Sequence, residues 1–201
     1  MMTGIILAGG KSSRMGWDKA LLPFGGKTLL EDMAQRMSGI FDETLVIVDE
    51  RAKTEGLDLG AAQVHEDLVK YQGPLSGIYT GLCDSKNRAS FVWPCDMPLI
   101  DEWAIHQLIR KWKTEFSGLE DLSPEVICFE DAEGRAQPFP GVYRRSARTL
   151  IRLLLDQGQA SMNRFFEVVT VRSFPLDQEK AEVLTNLNTP EDYEKILRSQ
   201  P

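Results

Sequence analysis

Short apolar segments alternate with amphipathic ones along the first half of the chain, and this alternation limits the folds that are open to it. Four segments have the length and the apolar, β-rich composition of buried strands, at 4–8, 44–48, 62–65 and 90–95. Three segments place their apolar residues at helical spacing, at 28–37, 74–83 and 101–113. Apolar strands that alternate with helices are typical of a parallel sheet covered on both faces. We therefore expect a three-layer α/β fold, with helices on both faces of a mostly parallel, Rossmann-like sheet.

The second half of the chain is less regular, and we expect it to complete the same domain. Further strands are predicted at 124–129, 137–143 and 168–174. Further helices are predicted at 145–155 and 190–197, the last with Thr189 as its cap and Pro190 at its first position. A length of 201 residues with no internal repeat or low-complexity linker predicts a single domain over 1–201.

Composition and charge argue against several classes of function. No apolar segment approaches the ~20 residues that a membrane span needs, and residues 4–8 are too short for a signal peptide. Three scattered cysteines without a C-x-x-C pair favour a reducing compartment, so we expect a cytoplasmic protein. The net charge of −7 argues against binding to nucleic acid. Residues 1–30 carry four cations against Asp18, a pattern that suits either a small anion or a solvated surface.

The segment after the first predicted strand has the composition of a phosphate-binding loop. It reads Leu-Ala-Gly-Gly-Lys-Ser-Ser-Arg-Met-Gly over 7–16, and Lys19 follows. Glycines allow close approach of the backbone, hydroxyls and amides donate hydrogen bonds, and the cations neutralise charge. The alternative is an ordinary glycine-rich turn.

Neither of the two commonest nucleotide-binding loops fits this segment. The P-loop pattern G-x-x-x-x-G-K-[ST] would end at Gly26-Lys27-Thr28, but Leu21 stands where the pattern requires glycine. The dinucleotide fingerprint G-x-G-x-x-G does not match the glycines at 9, 10 and 16, which disfavours an NAD-dependent oxidoreductase.

Three other segments follow predicted strands or precede a predicted helix, where open parallel sheets bind their ligands. Asp96, in Pro-Cys-Asp-Met-Pro after the fourth strand, is placed either to bind Mg²⁺ or to cap the next turn. Asp67 follows the third strand and precedes Gly-Pro-Leu-Ser-Gly at 73–77, which is either an anion site at a helix start or a plain loop. Asn186 and Asn188 alternate on one side of an extended segment and are candidate ligands.

The loop at 7–19 resembles the signature L-A-G-G-x-[ST]-x-R-M-G-x-x-K of nucleotidyltransferases that make activated sugars and cofactors. Together the four segments resemble the bacterial molybdenum cofactor guanylyltransferases, from residue 4 to about residue 100 and again at 139–143 and 186–192. The resemblance implies transfer of GMP from Mg²⁺-bound GTP to molybdenum-loaded molybdopterin, with release of pyrophosphate. It also implies a nucleotide-binding half over 1–100 and an acceptor half over 101–201.

The resemblance assigns roles to the matched residues. Catalytic roles fall to Lys19, Arg14 and Asp96, and Asp96 would hold Mg²⁺. The residues expected near the nucleotide, the metal and the reacting phosphates are Leu7, Ala8, Gly9, Gly10, Lys19, Asp67, Gly73, Gly77, Asp96, Asn186 and Asn188. The family's asparagine after the second strand has no match, because this chain reads Val-Asp-Glu-Arg at 48–51.

GTP and molybdopterin are the expected small-molecule substrates, and molybdoenzymes or cofactor-delivery proteins are candidate protein partners, with no nucleic acid and no membrane. One alternative is another nucleotidyltransferase of this fold, which uses CTP with molybdopterin or acts on a sugar phosphate or phospho-lactate. The other alternative is a non-catalytic GTP-binding protein that takes part in cofactor delivery. Arg144, Arg145, Arg148 and Arg152 either meet an anionic acceptor or form a solvated helix face.

Overall fold

A computed structural model describes residues 1–9, 18–70, 72–115 and 124–198. Two predicted site residues of the first loop, Gly10 and Arg14, lie outside the described residues.

The centre of the structure is a seven-stranded sheet with the strand order β5-β4-β1-β6-β8-β7-β9. Its strands are β1 (Thr3–Leu7), β4 (Glu43–Val48), β5 (Gln63–Glu66), β6 (Ala89–Pro94), β7 (Val126–Glu130), β8 (Ala136–Arg144) and β9 (Val171–Pro175). Neighbouring strands are parallel except at β8, which runs antiparallel to both β6 and β7. A small antiparallel hairpin of β2 (Pro23–Phe24) and β3 (Lys27–Thr28) lies outside this sheet. The predicted mostly parallel sheet is confirmed.

Helices pack against both faces of the sheet. They are α1 (Leu29–Ile40), α2 (Pro74–Asp84), α3 (Glu102–Glu115), α4 (Ala147–Asp156), α5 (Met162–Val168) and α6 (Pro190–Arg198). Ile6 lies in the hydrophobic core formed with α1, α3 and α6, whereas Ile5 lies in the core formed with α2, α4 and α5. Because successive side chains of a strand point to opposite faces, the apolar β1 strand contributes to both layers.

Local sequence signals set several of the element boundaries. Thr28 and Glu31 form a capping box at the start of α1, and Asp101 caps α3 by accepting a hydrogen bond from the Ala104 amide at 2.8 Å. The strand predicted over 168–174 was wrong at its start. Ser161 caps a helix that continues to Val168, and β9 begins only at Val171.

A buried polar cluster lies at the amino end of the sheet. Thr3 Oγ1 donates to the Glu43 carboxylate at 2.6 Å and lies 2.7 Å from Ser85 Oγ. The backbone amide of Lys86 donates to the same carboxylate at 3.0 Å. Burial alone would raise the pKa of Glu43, but these hydrogen bonds, with the nearby Lys86 charge, outweigh it and lower that pKa. The cluster joins β1, β4 and the end of α2 at the end of the sheet opposite to the loops predicted to bind the ligand.

Candidate active site

A cleft of about 610 Å³ opens at the carboxyl ends of β1, β4 and β6. Nine of the predicted site residues line it, namely Leu7, Ala8, Gly9, Lys19, Asp67, Gly73, Gly77, Asp96 and Asn186. The parallel strands bring these residues together from loops that are far apart in sequence, as expected for an open α/β sheet. Within the described residues, no helix is long and apolar enough to cross a membrane.

The floor of the cleft is backbone. The amide of Ala8 donates to Ile47 O at 2.8 Å, so the chain after β1 stays against the end of β4. A Cβ added at Gly9 would lie 3.2 Å from the backbone nitrogen of Asp49. The backbone cannot move aside as the end of a flexible side chain can, so position 9 of the cleft lining favours glycine.

Three side chains from distant parts of the chain meet beside this floor. Lys19 Nζ donates to Asn188 Oδ1 at 3.1 Å and lies 3.9 Å from Asp96 Oδ2. The side chain of Lys19 is 18% exposed and that of Asp96 is 36% exposed. Burial raises the pKa of Asp96, and the Lys19 charge opposes that rise. The cluster therefore presents a cation and a carboxylate to the same end of the cleft. Asn188, unlike the other predicted site residues that the structure describes, is not part of the cleft lining and contacts it through Lys19.

The segment before α6 fixes the position of Asn188. The amides of Asn188 and Thr189 both donate to Asp192 Oδ2, at 3.0 and 2.9 Å, and the Asp192 amide donates to Thr189 Oγ1 at 3.1 Å. These bonds to Asn188 and Thr189 lower the pKa of Asp192. Leu187 N donates to the backbone oxygen of Asp96 at 2.6 Å. The predicted cap at Thr189 is present, and it also ties the C-terminal segment to the loop after β6.

Asp67 joins the loop after β5 to helix α2. One carboxylate oxygen accepts from Ser76 Oγ at 2.7 Å, and the other accepts from Thr80 Oγ1 at 2.7 Å and from the Val69 amide at 3.2 Å. The Asp67 amide donates to Val48 O at 2.8 Å. Asp67 therefore anchors the first turns of α2, and with them Gly73 and Gly77, against the sheet.

Lys53 pairs with two carboxylates of the cleft lining, Asp18 and Asp49, and sequence reasoning missed it. Its Nζ lies 2.7 Å from Asp49 Oδ1 and 3.4 Å from Asp18 Oδ2. Burial would lower the pKa of Lys53, but the two carboxylates outweigh it and raise that pKa. Asp18 in turn caps the 3₁₀ turn that carries Lys19, because its Oδ1 accepts from the Ala20 amide at 3.1 Å. The i, i+4 spacing of Asp49 and Lys53 is a signal that could have found half of this bridge.

Phe139 lines the cleft, and sequence reasoning did not assign it to the site. Cys128 of β7 pairs with Gly141 of β8, but the next residue, Phe129, pairs with Gln137. Residues 138–140 therefore bulge out of the ladder, and the Phe139–Pro140 peptide bond within them is cis. Segment 139–143 carried part of the family resemblance, but no periodicity in the sequence indicates a bulge there.

The arginines after β8 lie away from the cleft. Because β8 is antiparallel to β6, Arg144 pairs with Ala89 at the amino end of β6, opposite to Asp96. Arg145 N donates to Arg88 O at that same end. On α4, Arg152 forms an ion pair with Asp156 at 2.7 Å. None of Arg144, Arg145, Arg148 and Arg152 lines the cleft, so the structure does not support their contact with an anionic acceptor there.

At this end of the cleft, Asp96 provides one carboxylate of the type that hard, oxygen-preferring metal ions bind. No group of three or more His, Cys, Asp or Glu side chains is gathered in the described ranges. Mg²⁺ is commonly held by one or two carboxylates together with substrate phosphates and water. The contact between Lys19 and Asp96 at 3.9 Å is longer than a hydrogen bond, and it leaves the Asp96 carboxylate accessible from the cleft. The site therefore fits Mg²⁺ that arrives with a nucleotide.

The class of protein follows from the fold, the cleft and a match to a known family. Residues 4–173 match the family model of the MobA-like NTP transferase domain. The chain is therefore a nucleotidyltransferase, as the loop signature predicted.

Full-length relatives narrow the class further. A Carboxydothermus hydrogenoformans protein named "Probable molybdenum cofactor guanylyltransferase" is 33% identical over 202 residues, which cover 98% of this chain and 95% of that protein. A Bacillus cytotoxicus protein of the same name is 32% identical over 200 residues, which cover 98% of this chain and 96% of that protein. The chain belongs to the molybdenum cofactor guanylyltransferase family.

A solved structure supports the fold independently of these sequence matches. Molybdopterin-guanine dinucleotide biosynthesis protein A from Archaeoglobus fulgidus aligns with a TM-score of 0.81 at 21% identity, covering 98% of this chain and 97% of that one.

Proposed function

We propose that the protein transfers GMP from GTP to molybdenum-loaded molybdopterin, forming the molybdopterin guanine dinucleotide cofactor and releasing pyrophosphate. The observation that carries the proposal is the convergence of Lys19, Asp96 and Asn188 beside the backbone floor at Gly9. This arrangement gives a triphosphate close backbone approach, a cation and a metal-binding carboxylate at one end of the cleft. The full-length relatives that bear the name of this activity support the choice of substrates.

The reaction places little demand on a general base. An oxygen of the terminal phosphate of molybdopterin attacks the α-phosphorus of GTP, and the bond from that phosphorus to the β-phosphate oxygen breaks. A phosphate monoester has its second pKa near about 6, so the nucleophile is already ionised near neutral pH. This agrees with the cleft lining, in which neither His65 nor His106 takes part. Catalysis then consists of positioning the reactants and neutralising charge.

Each residue of the cluster has a separate task in that scheme. Lys19 offsets the charge that develops on the leaving pyrophosphate, and Asn188 holds its ammonium group in place. Asp96, with Asn186 at the same end of the cleft, would hold Mg²⁺. When bound, Mg²⁺ supplies charge neutralisation at the phosphate oxygens. The loops at Gly9, Asp49 and Asp67 form the side of the cleft that we assign to the nucleoside.

A cytoplasmic location suits this reaction, since GTP is available there. Cys83, Cys95 and Cys128 are free thiols, as a reducing compartment would keep them. We expect the product to pass from this protein to molybdoenzymes or to cofactor-delivery proteins.

A direct assay tests the proposal. The purified protein is given each of the four labelled nucleoside triphosphates with Mg²⁺ and molybdenum-loaded molybdopterin, and both pyrophosphate and labelled dinucleotide are measured. GTP is expected to be the preferred donor. Preference for CTP would instead indicate a cytidylyltransferase, and the absence of pyrophosphate with every nucleotide would indicate a non-catalytic GTP-binding protein.

A near-isosteric variant tests the metal assignment in the same assay. We expect Asp96→Asn to lower kcat by on the order of 100-fold or more, because it removes the negative charge that holds the metal and keeps the side-chain shape. Asp156→Asn, at the exposed ion pair with Arg152, is the matched control and should leave turnover unchanged. Full activity of the Asp96→Asn variant would refute the assignment of Mg²⁺ to this carboxylate.

A further inference from the structure

The cleft has a second side, beyond Asp96, that the nucleotide-binding loops do not reach. In the strand order β5-β4-β1-β6-β8, the loops that carry Asp67, Asp49 and Gly9 follow β5, β4 and β1, whereas Asp96 follows β6. Phe139 belongs to β8, on the far side of β6 from those loops. Neighbouring strands lie about 4.8 Å apart, so three strand spacings place β8 roughly 14 Å from β4. A separation of this size leaves room for one ring system on each side of the reacting phosphate, the base of the nucleotide on one side and a ring of the acceptor on the other.

The bulge that carries Phe139 is built into the sheet. Between Cys128 and Phe129 of β7, the partner strand skips from Gly141 to Gln137, so residues 138–140 leave the ladder. Bulges re-aim side chains and occur often beside active sites. Here the bulge turns Phe139, half-buried between the two hydrophobic cores, into the cleft lining.

Two contacts hold the bulge in place. The buried Tyr143 donates its hydroxyl to Pro138 O at 2.7 Å, and its ring stacks on Phe165 with centroids 6.4 Å apart. A Cβ at Gly141 would lie 2.8 Å from Pro138 O, so the absence of a side chain there lets the bulge close over the strand. The aromatic side chain of Phe139 is thus presented by a braced segment of a central strand.

A half-exposed phenyl ring on this side of the cleft suits a planar aromatic ligand. Aromatic rings offer a flat apolar face, and stacked pairs are favoured beyond the area that they bury. The acceptor of the proposed reaction carries a pterin with a planar pyrimidine ring, which a pyran ring and a CH₂ group connect to its phosphate. We propose that Phe139 is the aromatic wall that seats the pterin ring of the acceptor, an inference that rests on the proposed function.

The competing ligand for this ring is the guanine base of GTP. Guanine would have to cross β1 and β6 to reach Phe139 while its phosphates remain beside Gly9 and Lys19. The loops after β4 and β5, with Asp49 and Asp67 in the lining, form the part of the cleft that we assign to the nucleoside. The strand order therefore favours the acceptor, and the two assignments predict different kinetic effects.

Steady-state kinetics with each substrate varied in turn tests this proposal. Phe139→Leu keeps an apolar side chain and removes the flat face, so the KM for molybdopterin should rise about 2- to 10-fold. The KM for GTP should stay within twofold of the wild-type value. Phe139→Tyr, which retains the ring, should restore the wild-type KM for molybdopterin. Phe174→Leu is the matched control, since Phe174 is also partly buried but lies outside the cleft lining.

A second variant guards against a Phe139→Leu protein that does not fold. Tyr143→Phe removes the hydroxyl that braces Pro138 and keeps the stacked ring, so it too should raise the KM for molybdopterin. An unchanged KM for molybdopterin in the folded variants, or a rise confined to the KM for GTP, would overturn the proposal. Failure of the wild-type protein to transfer GMP to molybdopterin would instead count against the proposed function, so the two failures are distinguishable.

Discussion

Asp67 provides a quantitative test of how the cleft is held together. Its carboxylate accepts three hydrogen bonds, from the hydroxyls of Ser76 and Thr80 and from the amide of Val69. Ser76 and Thr80 are both buried. We compare Asp67→Ala, which removes every acceptor, with Asp67→Asn, which keeps the shape of the side chain and removes the charge.

The loss of stability expected for Asp67→Ala depends on whether each hydrogen-bond donor to Asp67 finds another acceptor. The Ser76 hydroxyl has a second acceptor in Gly73 O at 2.7 Å, so it remains hydrogen-bonded and contributes little to the loss. The Thr80 hydroxyl and the Val69 amide lose their acceptor, and an unsatisfied buried donor costs about 1–3 kcal/mol. The half-buried Val69 amide can recover part of its loss through water. The free energy of unfolding should therefore fall by about 2–4 kcal/mol.

Asp67→Asn should cost less than about 1 kcal/mol, because every donor keeps an acceptor. The amide oxygen can face Thr80 and Val69, and the amide nitrogen can donate to Ser76 Oγ. The Ser76 hydroxyl proton then turns to Gly73 O.

Urea unfolding of both variants and the wild-type protein, with the slopes compared, measures these differences. An Asp67→Ala variant within 0.5 kcal/mol of the wild type, roughly the size of an ordinary surface substitution, would refute the reasoning. So would an Asp67→Asn variant as unstable as the Asp67→Ala variant.

Two further predictions concern the C-terminal segment and the opposite end of the sheet. Asp192 accepts a hydrogen bond from the Asn188 amide, and Asn188 in turn accepts one from Lys19. Asp192→Ala should therefore lower kcat about 10-fold, with little effect on the KM for GTP, because Asn188 no longer holds Lys19 in place. An unchanged kcat would contradict this chain of contacts. The pKa of Glu43 is lowered in the folded state, so its stabilisation is complete above the unfolded pKa of about 4.3 and is lost as the pH falls through the folded value. Urea unfolding at pH 7 should therefore show that Glu43→Gln is less stable than the wild type by about 1.5–3 kcal/mol. This difference in the free energy of unfolding should become smaller below about pH 4. A difference that does not change with pH would count against the role of the charge.

Much of the first half of the chain is encoded locally. Residues 45–48 are apolar throughout, as expected for a strand that is covered on both faces. Thr28 with Glu31 marks the start of α1 through side-chain hydrogen bonds to its own first turn. The loop signature at 7–19 and Asp96 could be recognised for the same reason, since their chemistry depends on residue types at fixed spacing. Because strands in such a sheet end at one edge, the meeting of these loops could also be anticipated.

The tertiary structure decided the rest. The antiparallel course of β8 carries Arg144 away from the cleft and brings Phe139 to it, and neither outcome is visible in a local pattern. The bond from Lys19 to Asn188 spans 169 residues, and Lys53 bridges two loops that only the sheet brings together. Sequence patterns report interactions between residues a few positions apart. Contacts over longer separations depend instead on strand order and direction, which the packing of the whole chain determines.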